Sequence, residues 1–504
     1  MLFQNTISAI PFRKWLWQDK ENKRLLLLAS SVVIGLFIWF KIDCPYPNFV
    51  DETYSYLRAA VNNDFISIRP IGYTKFLQLV GFFSHSHLLL VTTQYLLLQA
   101  ALFYFFFTTR YLLAPSKWPF RILLFFTIIN PLLLKLCNLP TADALFTTLS
   151  LVWLTQLCWL LYRPNARLIA IHLLITLLAF TLRLAAAYYP FISILVIFFS
   201  TTSQRTRIVS FTGILLLFGG FIGATQYAYY EKTGIVQFSA LNGWEKANNA
   251  LYGYAHGPLD LADRVPSRFQ SLHSLVNKHI DSISRLKHRP DRKLENYYLD
   301  EKRSPLNIYL RQNKTADTLK KTIDGRLSVG AFYNDYGNYL IKQHRGAYFK
   351  HFIIPNLVNY FIPDPEYTGY YFPFGIIDSV AIRWFSLPNK SLQTYQDDSR
   401  ILVVNYLPSF FALACVAFLL SFIGFIISGG FLTIMSTAKK ILILAASIWI
   451  CNLAFTINLA PTALRGQAFI LIITYTFSSF ILTYIWQKSS FAYKTEPANS
   501  NLLT

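Results

Sequence analysis

Apolar runs of membrane-crossing length constrain this chain more than any other feature, because hydrocarbon admits only segments that satisfy their own backbone polar groups. The first is 25-LLLLASSVVIGLFIWFKI-42, within a span at about 24–42. Nine more follow at about 88–109, 119–136, 143–161, 167–184, 186–201, 208–227, 402–427, 441–459 and 467–486. A crossing helix needs roughly 20 apolar residues; the sixth run is short and begins at Tyr189-Pro190. The expected fold is an α-helical polytopic membrane protein, a bundle of about ten transmembrane helices. Composition agrees, since only 14% of the 504 residues are charged, against about a quarter in a soluble domain. The segment 71-IGYTKFLQLVGFF-83 is too short and polar for a span and reads as an interfacial helix.

The net charge of +21 points to topology and anionic lipid rather than to nucleic acid. With the N-terminus in the cytoplasm, the basic residues from Arg13 to Arg24, those at 110–121, 163–167 and 205–207, and Lys439, Lys440 and Lys488 all fall inside. That is the positive-inside pattern. It puts 43–87, 137–142, the turn at Arg183, the long stretch 228–401 and 460–466 on the outer face. The chain then divides into an N-terminal membrane module (1–227), an outer-face loop domain (228–401) and C-terminal membrane helices with a cytoplasmic tail (402–504). Five scattered cysteines without a CxxC pair argue against a disulfide scaffold or structural zinc. The loop histidines show no ligand spacing.

Charged residues mark the outer turns. In 47-PNFVDETYSYLRAA-60, Val50, Tyr54 and Leu57 recur at helical spacing beside a polar face carrying Asp51, Ser55 and Arg58. This predicts a short surface helix with Asp51 and Glu52 in its first turn, where carboxylates are favoured. Asp143 opens the helix after 138-NLPTA-142 and is expected to face a bundle crevice. Arg69 and Lys75 lie in the first outer loop, Arg183 in the third outer turn and Arg465 in the last. Arginine clamps phosphate in bidentate fashion, and a carboxylate can take a proton from an attacking hydroxyl. The pattern therefore suits a lipid-linked phosphosugar donor, with Arg69, Lys75, Arg183 and Arg465 as candidate phosphate ligands. Further candidates for sugar or acceptor contact are Tyr54 and Arg58, with Trp244, Tyr252 and Tyr254 of 239-SALNGWEKANNALYGYAHGPLD-260 beside Asn242, Asn248 and Asn249. The alternative for that stretch is an ordinary folded outer helix. The aromatic 360-YFIPDPEYTGYYFPFG-375 suits an interfacial loop, either over the lipid phosphate or packed on the bundle.

The pair 51-DE-52, the segment 69-RPIGYTKFL-77 and 138-NLPTADALFTTLSL-151 together resemble the polytopic GT-C glycosyltransferases, and 459-LAPTALRGQ-467 is similar to their last outer turn. The branch is that of bacterial relatives of protein O-mannosyltransferases and of the lipid A aminoarabinose transferase. The resemblance covers about the first 200 residues by motif and the C-terminal spans by layout. It implies a GT-C-like bundle in the bacterial cytoplasmic membrane. It also implies a polyprenyl-phosphate-linked sugar donor, an outer-face lipid, glycan or protein acceptor, and inversion by a carboxylate base. On this basis Asp51 is the expected base, Glu52 its neighbour about 100° round the helix, and Asp143 the second acidic position. A divalent cation is compatible with the carboxylates but not demanded by them. A polyprenyl-diphosphate glycan polymerase or ligase is the enzymatic alternative. A transporter or a scaffold is the non-enzymatic one, but the carboxylates lie at span ends rather than at the midplane that transport favours.

Overall fold

A computed structural model describes residues 10–313, 325–366, 377–388 and 405–495, with the side chains of the last helix to 489. Among these described residues, eight helices are long and apolar enough to cross a membrane: Lys20–Asp43, His87–Leu113, Lys117–Cys137, Ala142–Tyr162, Gln204–Thr233, Leu407–Ile427, Ser436–Leu459 and Leu464–Ser489. They coincide with eight of the expected runs; the fifth and sixth runs are the shorter apolar helices Ala166–Leu182 and Leu184–Phe199. The chain is thus an α-helical polytopic membrane protein. The described residues contain no strand, only an isolated bridge between Asp364 and Ala463.

Local chemistry sets the helix ends. Asp19 accepts hydrogen bonds from the amides of Glu21 and Asn22, and Ser86, Asn165 and Ser203 cap later helices in the same way. Each cap satisfies an amide that the helix itself leaves without an acceptor. The third run is interrupted: one helix ends at Ile128 and a second begins at Pro131, capped by Asn130. Proline has no amide to donate and clashes with the turn before it. The short helix Ile71–Phe83 forms as expected.

Ala142–Tyr162 and Leu464–Ser489 lie at the centre of the bundle, each 78% buried along its apolar stretch, against 17% for Gln204–Thr233. On that last helix Ile208, Val209, Leu215 and Leu216 stay exposed, an apolar flank for a bilayer to cover. At one end of the bundle Glu21 gathers Arg110 at 2.8 Å, Lys117 at 2.7 Å and Arg121 at 3.1 Å. Residues assigned to inner loops therefore do share one end.

The stretch after Thr233 forms helices around a hydrophobic core of its own, which Ile66 and Ile68 of the first long loop enter. Its centre is the pair Ala240–Tyr254 and Arg326–Gln343. A Cβ on Gly243 would fall 1.8 Å from the Gly330 carbonyl oxygen, so the two backbones touch and glycine is required there. This core corrects one expectation. Trp244, Tyr252 and Tyr254 are each no more than 2% exposed, and they pack inside the domain instead of offering faces to a sugar. The Trp244 indole donates to the Arg326 carbonyl at 3.1 Å, and the Tyr252 hydroxyl donates to that of Lys293 at 3.2 Å. Large aromatics contribute most where their whole area is buried and the polar tip finds a partner.

The amides tie this domain to the bundle. Asn249, which is buried, donates to the Leu459 carbonyl at 2.9 Å. Asn356 donates to Ala460 at 2.8 Å and accepts from the Thr462 amide at 2.8 Å. The turn carrying Arg465 is thereby held from the domain side.

Candidate active site

Segments distant in sequence bring their charges together where the bundle meets the loop domain. Glu52 is the second residue of the helix Asp51–Val61. Val50 is extended there, and its amide donates to Thr53 Oγ1 at 3.3 Å, which fixes the helix start. The Asn48 amide donates to the Asn138 carbonyl at 2.9 Å, and the Asn138 side chain donates to the Tyr46 carbonyl at 3.1 Å. These bonds clasp the chain before Glu52 to the turn before Asp143. Asp143 is 3% exposed and accepts from the Thr141 hydroxyl at 3.0 Å. Facing the crevice, as expected, requires charge partners.

Arginines supply them. Arg465 donates from both Nη atoms to the two Glu52 oxygens at 2.8 and 2.9 Å, from Nη1 to Asp143 Oδ2 at 2.8 Å, and from Nε to Glu366 Oε2 at 2.7 Å. Arg183 pairs with the other Asp143 oxygen, and Arg69 lies 3.0 Å from Glu52 Oε1. A buried charge persists only when paired and hydrogen-bonded in this way. Burial opposes ionisation of Glu52, but Arg465 and then Arg69 overcome it and hold the carboxyl well below the usual carboxylate range. Arg465, only 10% exposed, is in turn held by three carboxylates, those of Glu52, Asp143 and Glu366. At Glu366 burial wins over Arg465 and its carboxyl is raised.

Beside this network lies a cavity of about 90 Å³, lined by Glu52, Tyr56, Arg69, Asp143, Arg183 and Glu245 among others. It shares Arg69, Pro70 and Leu184 with an apolar groove lined by Phe65, Ile66, Ile71, Phe180, Phe221 and Phe238. The Tyr229 hydroxyl donates to the Ser67 carbonyl at 2.8 Å and so positions the loop that ends in Arg69.

The sequence-derived candidates separate accordingly. Glu52, Asp143, Arg69 and Arg183 line the cavity, and Arg465 organises its carboxylates. Asp51 does not line it: the side chain is exposed, and no hydrogen bond or ion pair reaches its carboxylate among the described residues. Lys75 sits apart, bonded to Asn63 and Gln78 and 5.0 Å from the Phe65 ring at the groove. Arg58 pairs with Asp378, and Tyr54 is buried. Two carboxylates were not anticipated, Glu245 in the cavity lining and Glu366 on Arg465. Glu245 lies inside a stretch that attracts notice for its aromatics and amides, and Glu366 begins to matter only when the chain returns it to Arg465. Residues 367–375 of the aromatic stretch lie outside the described residues. No group of three or more His, Cys, Asp or Glu side chains among the described residues is arranged to hold a metal ion.

No family model, curated protein or solved structure matches this chain.

Proposed function

We propose that the protein is a membrane glycosyltransferase that moves a sugar from a polyprenyl-phosphate carrier to an acceptor hydroxyl on the outer face of a bacterial cytoplasmic membrane. One observation carries this reading: a carboxylate–arginine cavity adjoins an apolar groove, and the two share Arg69, Pro70 and Leu184 in their linings. A lipid-linked phosphosugar has that same order of parts, with an apolar chain, an anionic phosphate and a polar ring. The polyprenyl chain takes the groove, the phosphate meets Arg69 and Arg183, and the sugar extends toward the carboxylates. Arg69 and Arg183 each hold a single carboxylate, so donors remain for a phosphate, whereas Arg465 already serves three. The acceptor oxygen attacks the anomeric carbon, a carboxylate takes its proton, and polyprenyl phosphate leaves with the bonding electron pair. Arginine beside the leaving phosphate stabilises its developing charge. No step is assigned to a cation.

The test is a panel of synthetic polyprenyl-phosphate hexoses and pentoses, presented to the full chain in lipid nanodiscs together with membrane glycolipid acceptors. The read-out is released polyprenyl phosphate. Release that depends on Arg69 supports the reading; no release from any donor rejects it.

A further inference from the structure

Two of the cavity's carboxylates are already held by arginine, Glu52 by Arg465 and Arg69 and Asp143 by Arg465 and Arg183. Glu245 is not. It lines the same cavity and has no hydrogen-bond or ion-pair partner among the described residues. Its placement follows from the helix that carries it. Ser239 caps Ala240–Tyr254, accepting from the Asn242 amide at 3.3 Å. Gly243 lies against Gly330, and the Trp244 side chain anchors in the domain core. Leu241 and Glu245, four residues apart and so on one helix face, both line the cavity. Asn249, four residues further, donates to Leu459, which also lines it. The face 241–245–249 is thus the one pressed onto the bundle, and Glu245 is its only ionisable group.

We propose that Glu245 is the group that accepts the proton of the acceptor hydroxyl, while Glu52 and Asp143 are positioning residues that hold the arginines. This rests on the glycosyl-transfer reading above. The acceptor O–H proton passes to the Glu245 carboxylate as the acceptor oxygen bonds to the anomeric carbon. The bond from that carbon to the phosphate oxygen breaks, its electron pair leaves with polyprenyl phosphate, and Glu245 returns the proton to water. The charged groups that act on Glu245 are Arg69, Arg183, Glu52 and Asp300, with Asp143 in the same lining. Burial pushes its carboxyl up to about 7 against the pull of Arg69 and Arg183. A base works best when its pKa lies near the operating pH. Glu52 is held too acidic for that work, and Asp51 stands outside the cavity.

Two measurements on the full chain in nanodiscs test this. Infrared titration of donor-free protein should show a carboxylic C=O band that vanishes with a midpoint near about 7, and Glu245→Gln should remove it. A band unchanged in the variant overturns the assignment whether or not a donor is known. With whichever panel donor wild type turns over, the single-turnover rate should rise with pH through the same midpoint. Glu245→Gln should lower it at least about 10²-fold and flatten the rise, with donor affinity kept; Glu245→Asp should restore the rise. A rate within about threefold of wild type at every pH, in Glu245→Gln that unfolds at the wild-type temperature, overturns the proposal and leaves glycosyl transfer standing. Wild type that releases no polyprenyl phosphate from any donor overturns both, even if the infrared band is found.

Discussion

Replacing Arg465 by Met tests the network most directly. Methionine keeps the unbranched stem as far as the position of Nε but removes the rest of the guanidinium and its charge. The arginine is 10% exposed and serves three carboxylates at 2.7–2.9 Å, of which Asp143 is 3% and Glu52 15% exposed. Removing one partner from a buried ion pair costs about 3–5 kcal/mol, because the other charge stays buried without compensation. Arg69 still faces Glu52 and Arg183 still faces Asp143, so the three losses do not simply add. The expected destabilisation of Arg465→Met is about 3–5 kcal/mol, or roughly two to three and a half decades in the unfolding equilibrium. Denaturant-driven unfolding in mixed micelles measures it.

The same variant carries a pH signature. In wild type the Glu52 carboxyl is depressed when folded, so its stabilisation is complete above the unfolded value of 4.5 and is lost only as pH falls through the lower folded value. Without Arg465, burial acts on Glu52 with less opposition and raises its carboxyl, so the variant gains stability as that group protonates. The gap between the two proteins should be widest near pH 7 and should narrow as pH falls toward about 4.5. A variant within about 1 kcal/mol of wild type at neutral pH, or a gap that widens on acidification, would refute the reasoning.

Arg69→Ala and Arg183→Ala should each weaken donor binding by about 1.5–3 kcal/mol, the scale of a charge-assisted hydrogen bond, while Lys75→Ala, which removes a side chain outside the cavity, should not; titration calorimetry with the accepted donor separates them. Glu52→Gln should impair transfer more than Asp51→Asn, because Glu52 organises Arg69 and Arg465 whereas Asp51 lies outside the cavity. Single-turnover rates check this order, which reverses the one expected from the sequence. Gly243→Ala should destabilise the loop domain by about 1–3 kcal/mol or more, since its methyl would meet the Gly330 carbonyl; thermal unfolding followed by tryptophan fluorescence reads the change. Single cysteines at the exposed positions Asn242 and Arg205, in a background lacking the half-buried Cys451, should label from opposite sides of the membrane, Asn242 from outside. Labelling of both from one side would undo the topology.

The membrane helices were legible because their signal is local. Apolar length alone marks the eight long helices, and lysine and arginine correctly group Arg110, Lys117 and Arg121, which one glutamate then gathers. The break at Asn130-Pro131 was also written in the sequence, but hydropathy averages across it. Burial of Trp244, Tyr252 and Tyr254 was harder to read. Aromatics in a polar stretch look the same whether they stack on a ligand or fill a core, and the outcome turned on Gly243 meeting Gly330, 87 residues away in the chain.

The site was legible as a set of residue types and outer turns, but not in its pairing. A side chain's place in a helix's first turn says that water or a dipole can hold its charge; it does not say which neighbour in 51-DE-52 turns inward. That choice was made by Arg465 and Arg69, which take Glu52 and leave Asp51 exposed. Glu245 was hidden for the complementary reason. A carboxylate with no partner leaves no spacing for a sequence to display, and it gains meaning only when the Asn249 contact presses its helix onto Leu459, in a turn that Asn356 also holds. If that docking is what places Glu245, loosening it should act on chemistry as well as on stability. Asn249→Ala removes one clasp without touching the cavity lining. It should lower single-turnover transfer while leaving binding of the donor at Arg69 and Arg183 nearly unchanged. Equal losses in both would mean that the loop domain holds the donor rather than the proton acceptor.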